Sequence, residues 1–205
     1  MSSLLQSGKN TRALEGRTMC VRKKLCLGFL LAGMLFLTSC SIGKKTVLTY
    51  DGTFELELGK TRVAEVMEAG FTDRYSYDKK SQIDSSSWEN FYAMKNDVTY
   101  GTMYAGNKSS QKVNFEEGKV FRVVIDYRDP DYVTGEILIN GVNYAGYTRE
   151  QIKEAMSGAK MTLDSETYLS FEDGKFEYTF QFDEGSETVC TISIDDGTDW
   201  KLTIK

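Results

Sequence analysis

Residues 166–182 read ETYLSFEDGKFEYTFQF. Apolar and polar residues alternate on both sides of Asp173-Gly174. Alternation with period two marks a strand that buries one face. Asp-Gly between two such runs marks a two-residue hairpin, whose central positions favour a left-handed backbone. The stretch therefore predicts antiparallel strands with one face on a core and one toward water. The pattern continues through 187–195 (ETVCTISID) after Glu184-Gly185, and through 200–205 (WKLTIK) after Asp196-Gly197.

Upstream, the period changes from two to that of a helix. Thr148-Arg149-Glu150-Gln151 reads as a capping box, with Thr148 at the N-cap and Gln151 reaching back to it. Ile152, Ala155 and Met156 form one apolar stripe, and Gly158 closes the helix. An opening strand at 135–139 and an Asn140-Gly141 turn come before it. The second half thus reads strand, helix, four antiparallel strands.

The first half repeats that order. A strand over 53–58 (TFELEL) leads to a helix that begins at Gly59 or Thr61 and ends near Ala69. Val63, Val66 and Met67 make its stripe, and Gly70 its cap. A polar stretch, 72–87, follows; it is long for a connection in a compact domain. Four strand-like runs come next, at 88–95, 98–105, 110–116 and 119–127. The expected fold is α+β: two tandem units, 52–128 and 129–205, each a short helix packed on a four-stranded antiparallel sheet. Arg128-Asp129-Pro130-Asp131, with the only proline, forms the joint.

The N-terminus carries an address. Arg22, Lys23 and Lys24 precede a 13-residue uncharged run, Leu25 to Leu37. That run is short for a membrane span and fits the apolar region of a secretory signal. Leu37-Thr38-Ser39-Cys40 resembles the bacterial lipobox. The resemblance implies cleavage before Cys40, lipid on its sulfur, and a cell-membrane protein facing out of the cytoplasm. Residues 1–39 are then the signal peptide, with Met19 as an alternative start, and 40–51 a lipidated tether.

Composition narrows the partners. Residues 40–205 hold 19 bases and 29 acids, a net charge of −10. Nucleic acid wants the opposite sign. That balance also speaks against electrostatic adhesion to anionic lipid, which leaves anchoring to the lipid on Cys40. Zero histidines remove Ser-His and Cys-His pairs and imidazole metal ligands. Beyond Cys40 only Cys190 remains, too few for an internal disulfide, and its apolar strand suits a small buried side chain. Asp195-Asp196-Gly197-Thr198-Asp199 and the Asp126, Asp129, Asp131 group read as turns, since neither has calcium-loop spacing. No catalytic residue, metal site or cofactor is expected. The candidate binding residues are Tyr75, Tyr77, Trp88, Phe91 and Tyr92, because aromatic faces anchor interfaces and stack on sugars.

A helix followed by a four-stranded antiparallel sheet, given twice, resembles the β-lactamase inhibitory protein family and related small bacterial lipoproteins. The residues that carry the likeness to lipoproteins of Gram-positive anaerobes are Thr61, Val63, Glu65, Val66, Ala69, Gly70 and Phe71. Gly146, Thr148, Glu150 and Ile152 carry it in the second half. Gly158-Ala159-Lys160 departs from the Gly-x-Pro that such proteins carry there. The resemblance implies a fold and an envelope address, and brings no catalytic residues with it. The expected function is non-catalytic binding of an envelope protein or other partner, with a glycan- or small-ligand-binding lipoprotein and an envelope hydrolase as alternatives.

Overall fold

A computed structural model describes residues 44–75, 82–128 and 135–197. The leader, Cys40, Tyr77 and the strand expected at 200–205 lie outside the described residues. The first half contains β1 (Val47–Tyr50), β2 (Phe54–Glu57), α1 (Val63–Glu68), β3 (Thr72–Asp73), β4 (Gln82–Ile83), β5 (Ser87–Lys95), β6 (Val98–Asn107), β7 (Val113–Asn114) and β8 (Lys119–Asp126). The second contains β9 (Ile137–Ile139), α2 (Arg149–Ala155), β10 (Lys160–Asp164), β11 (Tyr168–Asp173), β12 (Phe176–Gln181) and β13 (Thr191–Asp196).

Eight of these strands form one antiparallel sheet in the order β10-β11-β12-β13-β8-β6-β5-β3. The expectation of separate four-stranded sheets is corrected here. β13 pairs with β8 along five residues, centred on Ser193 opposite Val124. The reason is the edge: an isolated four-stranded sheet would leave the backbone groups of both strands unpaired, and each supplies the other's partners. A row of apolar side chains crosses the inner face in register: Phe91, Met103, Val123, Ile194, Tyr178 and Phe171. All six are buried.

A second sheet, β2-β1-β9, and both helices join that core. Leu48, Tyr50, Leu56, Val63, Val66 and Ile152 all belong to it. The Thr46 hydroxyl lies 2.6 Å from the Tyr178 hydroxyl, and the Asn140 amide donates to that same oxygen at 3.1 Å. Tyr144 packs its ring 5.1 Å from Phe180. Tyr50, Phe71 and Tyr100 meet edge to face at 5.2–5.8 Å, a favoured aromatic geometry. Leu48 pairs with both Leu56 and Ile139, so the small sheet is shared between the halves.

Local differences have local causes. Val47–Tyr50 is a strand where a tether was expected, because Leu48 and Tyr50 are buried against the core. The helix of the first half starts only at Val63, since the Thr61 hydroxyl accepts the Glu57 N–H at 2.9 Å and closes the preceding turn. The run 110–116 shrinks to Val113–Asn114 and a 3-10 turn at Phe115–Glu117. There the buried Asn107 amide donates to the carbonyls of Ile83, Asp84 and Gln111 and holds the segment as a loop. The strand expected from residue 187 begins at Thr191; Ser186 and Thr188 form a hydrogen-bonded turn first. β10 was not expected at all. Every one of its residues is exposed, and the register shifts between Met161 and Leu163. The capping box of α2 forms as read, with Thr148 Oγ1 accepting from Gln151 N–H and Gln151 Oε1 accepting from Thr148 N–H, but of the expected stripe only Ile152 and Met156 are buried and Ala155 faces solvent.

Candidate functional site

The outer face of the eight-stranded sheet is polar and aromatic. Because side chains alternate, the residues between the buried ones all turn to this side. One cross-strand row runs Asn90, Tyr104, Arg122, Asp195, Glu177, Glu172, Lys160, through seven strands. Beside it runs a row of small side chains, Thr102, Val124, Ser193, Thr179 and Ser170.

The aromatic end of the face is organised by contacts. Trp88 stands 5.3 Å from Tyr104, and its strand partner is Gly106, which leaves the indole room. The Arg122 guanidinium lies over the Tyr104 ring at 5.3 Å, and its Nε–H donates to Ser193 Oγ at 3.2 Å. An Arg held flat on a ring by a second bond keeps its orientation at small entropic cost. Tyr75 meets Tyr92 edge to face at 4.7 Å, and the Arg74 guanidinium covers Tyr75 at 5.6 Å.

Next to Arg122 sits the one carboxylate whose acidity the face changes strongly. Asp195 is pushed up to about 6, first by burial, then by the negative charges of Glu177 and Asp196; Arg122 opposes them. A carboxylate so placed gains from any cation brought to it. Glu172, farther along the row, is paired with Lys160 at 2.9 Å.

Four of the five aromatic candidates are described. Tyr75, 41% exposed, and Tyr92 come together at the β5 end of the face, and Trp88 stands farther along the same strand. Phe91 does not belong with them: it is buried, with its ring 5.7 Å from Phe115, because alternation along β5 sends 91 inward when 88 and 92 face outward. Tyr77 lies outside the described residues. Tyr104, Arg122 and Asp195 were missed. The alternation of 98–105 and 119–127 contained the signal for Tyr104 and Arg122, but only the register unites them with Asp195.

The face offers recognition chemistry. Among the described residues no three His, Cys, Asp or Glu side chains gather as a metal site. Asp196 is buried and paired with Lys175 at 2.6 Å. The Cys190 thiol donates to the Gln181 carbonyl at 3.1 Å and to Asp183 at 3.3 Å. Burial and the Asp183 carboxylate raise its pKa, so it stays protonated and weakly nucleophilic. Among the described residues no helix is long and apolar enough to cross a membrane. The fold and face define a sheet-dominated, antiparallel α+β protein with an aromatic and charged open surface. No known protein family, curated protein or solved structure matches the chain.

Proposed function

We propose that this chain is a lipid-anchored extracytoplasmic protein that binds an envelope protein partner, without catalysis, through the outer face of its eight-stranded sheet. The observation that carries the reading is the row Tyr104–Arg122–Asp195 with Trp88 beside it: aromatic rings, an oriented guanidinium and an under-neutralised carboxylate on one half-buried face. Trp, Tyr and Arg are the side chains that most often dominate binding energy at interfaces. The address rests on the leader and Cys40. The reading includes an internal duplication. β3, β5, β6 and β8 follow α1, and β10 to β13 follow α2; the last strand of each set meets the other at the sheet centre.

The test uses the full chain, tagged at its C-terminus and extracted from its membrane in mild detergent. Partners co-purifying with the native chain and with a Trp88→Ala/Tyr104→Ala/Arg122→Ala variant are identified by mass spectrometry. One envelope protein recovered near stoichiometrically, and lost with the folded variant, supports the reading. Equal recovery with both chains removes this face from the function. A second reading, a small-ligand binder, draws on one feature. A cavity of about 320 Å³ lies between Gly59, Lys119, Phe121 and Asp196, and is within the usual size range of ligand pockets.

A further inference from the structure

We infer that the lysine-bearing end of the eight-stranded sheet faces and contacts the anionic headgroups of the membrane. The inference rests on lipid attachment at Cys40. Four residue steps separate Cys40 from Lys44, a reach of at most about 14 Å when fully extended. At Lys44 the chain is already fixed to the body. Lys44 pairs with Asp173, and buried Thr46 bonds Tyr178. The lipid therefore holds one particular end of the sheet close to the bilayer, the end at the β11–β12 turn.

Strand register shows what else lies at that end. Phe176, opening β12, pairs with both Asp173 and Asp196, the last residues of β11 and β13. Lys119 opens β8 and pairs with Gly106 at the end of β6, and Lys108 follows. The cavity between Gly59 and Asp196 is lined by both Lys108 and Lys119. Lys160, at the start of β10, completes the edge. Lys45 and Lys119 are exposed and make no ion pair among the described residues. The opposite end carries carboxylates: Asp97 in the β5–β6 turn, Asp126, Asp164, and Asp183 and Glu184 after β12. The lysine-bearing end also carries carboxylates: Glu117 lines the cavity, and Glu172, Asp173 and Asp196 pair with Lys160, Lys44 and Lys175, which leaves Lys45 and Lys119 as the cations it offers a membrane. Anionic lipid attracts lysines within about a Debye length of its surface, roughly 8–10 Å; the tether keeps Lys44 within about 14 Å of the anchored residue.

The experiment reconstitutes the full lipidated chain into phosphatidylcholine vesicles, with and without about one third phosphatidylglycerol. A fluorophore is placed on Ser109→Cys in one sample and on Glu184→Cys in another, while native Cys190 stays buried. Headgroup spin-labelled lipid quenches by proximity. The eight residues of β8 separate the two ends by about 26 Å. The expected result is strong quenching at 109, little at 184, and a further rise at 109 with phosphatidylglycerol. Lys45→Glu/Lys108→Glu/Lys119→Glu should remove that rise while vesicle flotation persists. Equal quenching at both sites, or stronger quenching at 184, in protein that floats overturns the orientation and leaves the anchor standing. Failure to float, with Cys40→Ala behaving like the native chain, overturns the anchor and the orientation together.

Discussion

Replacing Asp195 with asparagine should stabilise the protein at neutral pH, and the gain should vanish in acid. Asp195 ionises near 6 in the folded chain, against an ordinary value of 3.8, because burial outweighs the attraction of Arg122. The folded state then holds this proton more tightly than the unfolded state. Between the two values stability falls as pH rises, so the native chain keeps its full stability below about 3.8 and loses it through about 6. Two pH units correspond to about 3 kcal/mol at the limit. Residual solvent access reduces the expected difference to about 1–2 kcal/mol. Asp195→Asn keeps the shape and removes the charge. Its advantage should be near zero at pH 4 and reach about 1–2 kcal/mol by pH 7, read from urea unfolding of both chains at matched pH. Asp126 and Asp164 run the other way. Arg128 holds the first low, and Lys153 and Arg149 the second, so both support the fold until acid protonates them. Both are common to the two chains and cancel in the difference. With no histidine in the sequence, no other side chain ordinarily titrates between pH 5 and 7. Glu177→Gln should move the midpoint of the difference curve toward acid. A flat difference curve, or an asparagine variant less stable than the native chain at pH 7, would refute the reasoning.

Three further outcomes are expected. Gly101 has φ +109° and its missing Cβ would strike the Val124 carbonyl, so Gly101→Ala should cost about 2–4 kcal/mol and lower the denaturation midpoint without changing the slope. Phe180→Ala empties a fully buried site between Phe171 and Tyr144; a loss of about 3–5 kcal/mol and a melting point lower by roughly 10 °C are expected by calorimetry. Thr148→Ala removes the hydroxyl that caps α2 and should cost about 1 kcal/mol in the same unfolding assay.

What the sequence disclosed followed from chemistry local to it. Thr148 to Gln151 carries its own capping partners, and Asp173-Gly174 its own turn, so α2 and the β11–β12 hairpin stand where their residues say. β5, β6 and β8 follow for the same reason: their alternation records one buried face. The rest depended on groups far apart in the chain. Nothing in Thr191 to Asp196 alone says that its partner is β8 rather than a solvent edge. Val47–Tyr50 reads as tether until Ile139 is beside it, and β10 has no buried side chain to betray it. The site divides the same way. The sequence marks Trp88, Phe91 and Tyr92 alike as clustered aromatics, and only the pleat of β5 separates buried Phe91 from the other two. Asp195 drew notice only as part of an acidic turn; its altered acidity comes first from burial in the folded sheet, with a smaller push from Glu177, eighteen positions away and directly opposite on β12.

The small sheet has a kinetic meaning. β1 is enclosed by β2, only a few residues ahead, and by β9, whose Ile139 lies about ninety positions beyond its partner Leu48. In the export proposed above the chain would pass out from its N-terminus, and β1 and β2 would reach the far side as a lone hairpin, marginal in water. They would wait there for the second half, and β8 would wait in turn for β13, whose Ser193 lies about seventy positions beyond its partner Val124. Loop closures of that length are paid in entropy before any contact returns it, and slow folding follows. Throughout that interval the edges of β1 and β8 are open to other strands. The proposed anchor, fixing one end of each chain in a fluid sheet of lipid, would lengthen the time available before two such edges meet.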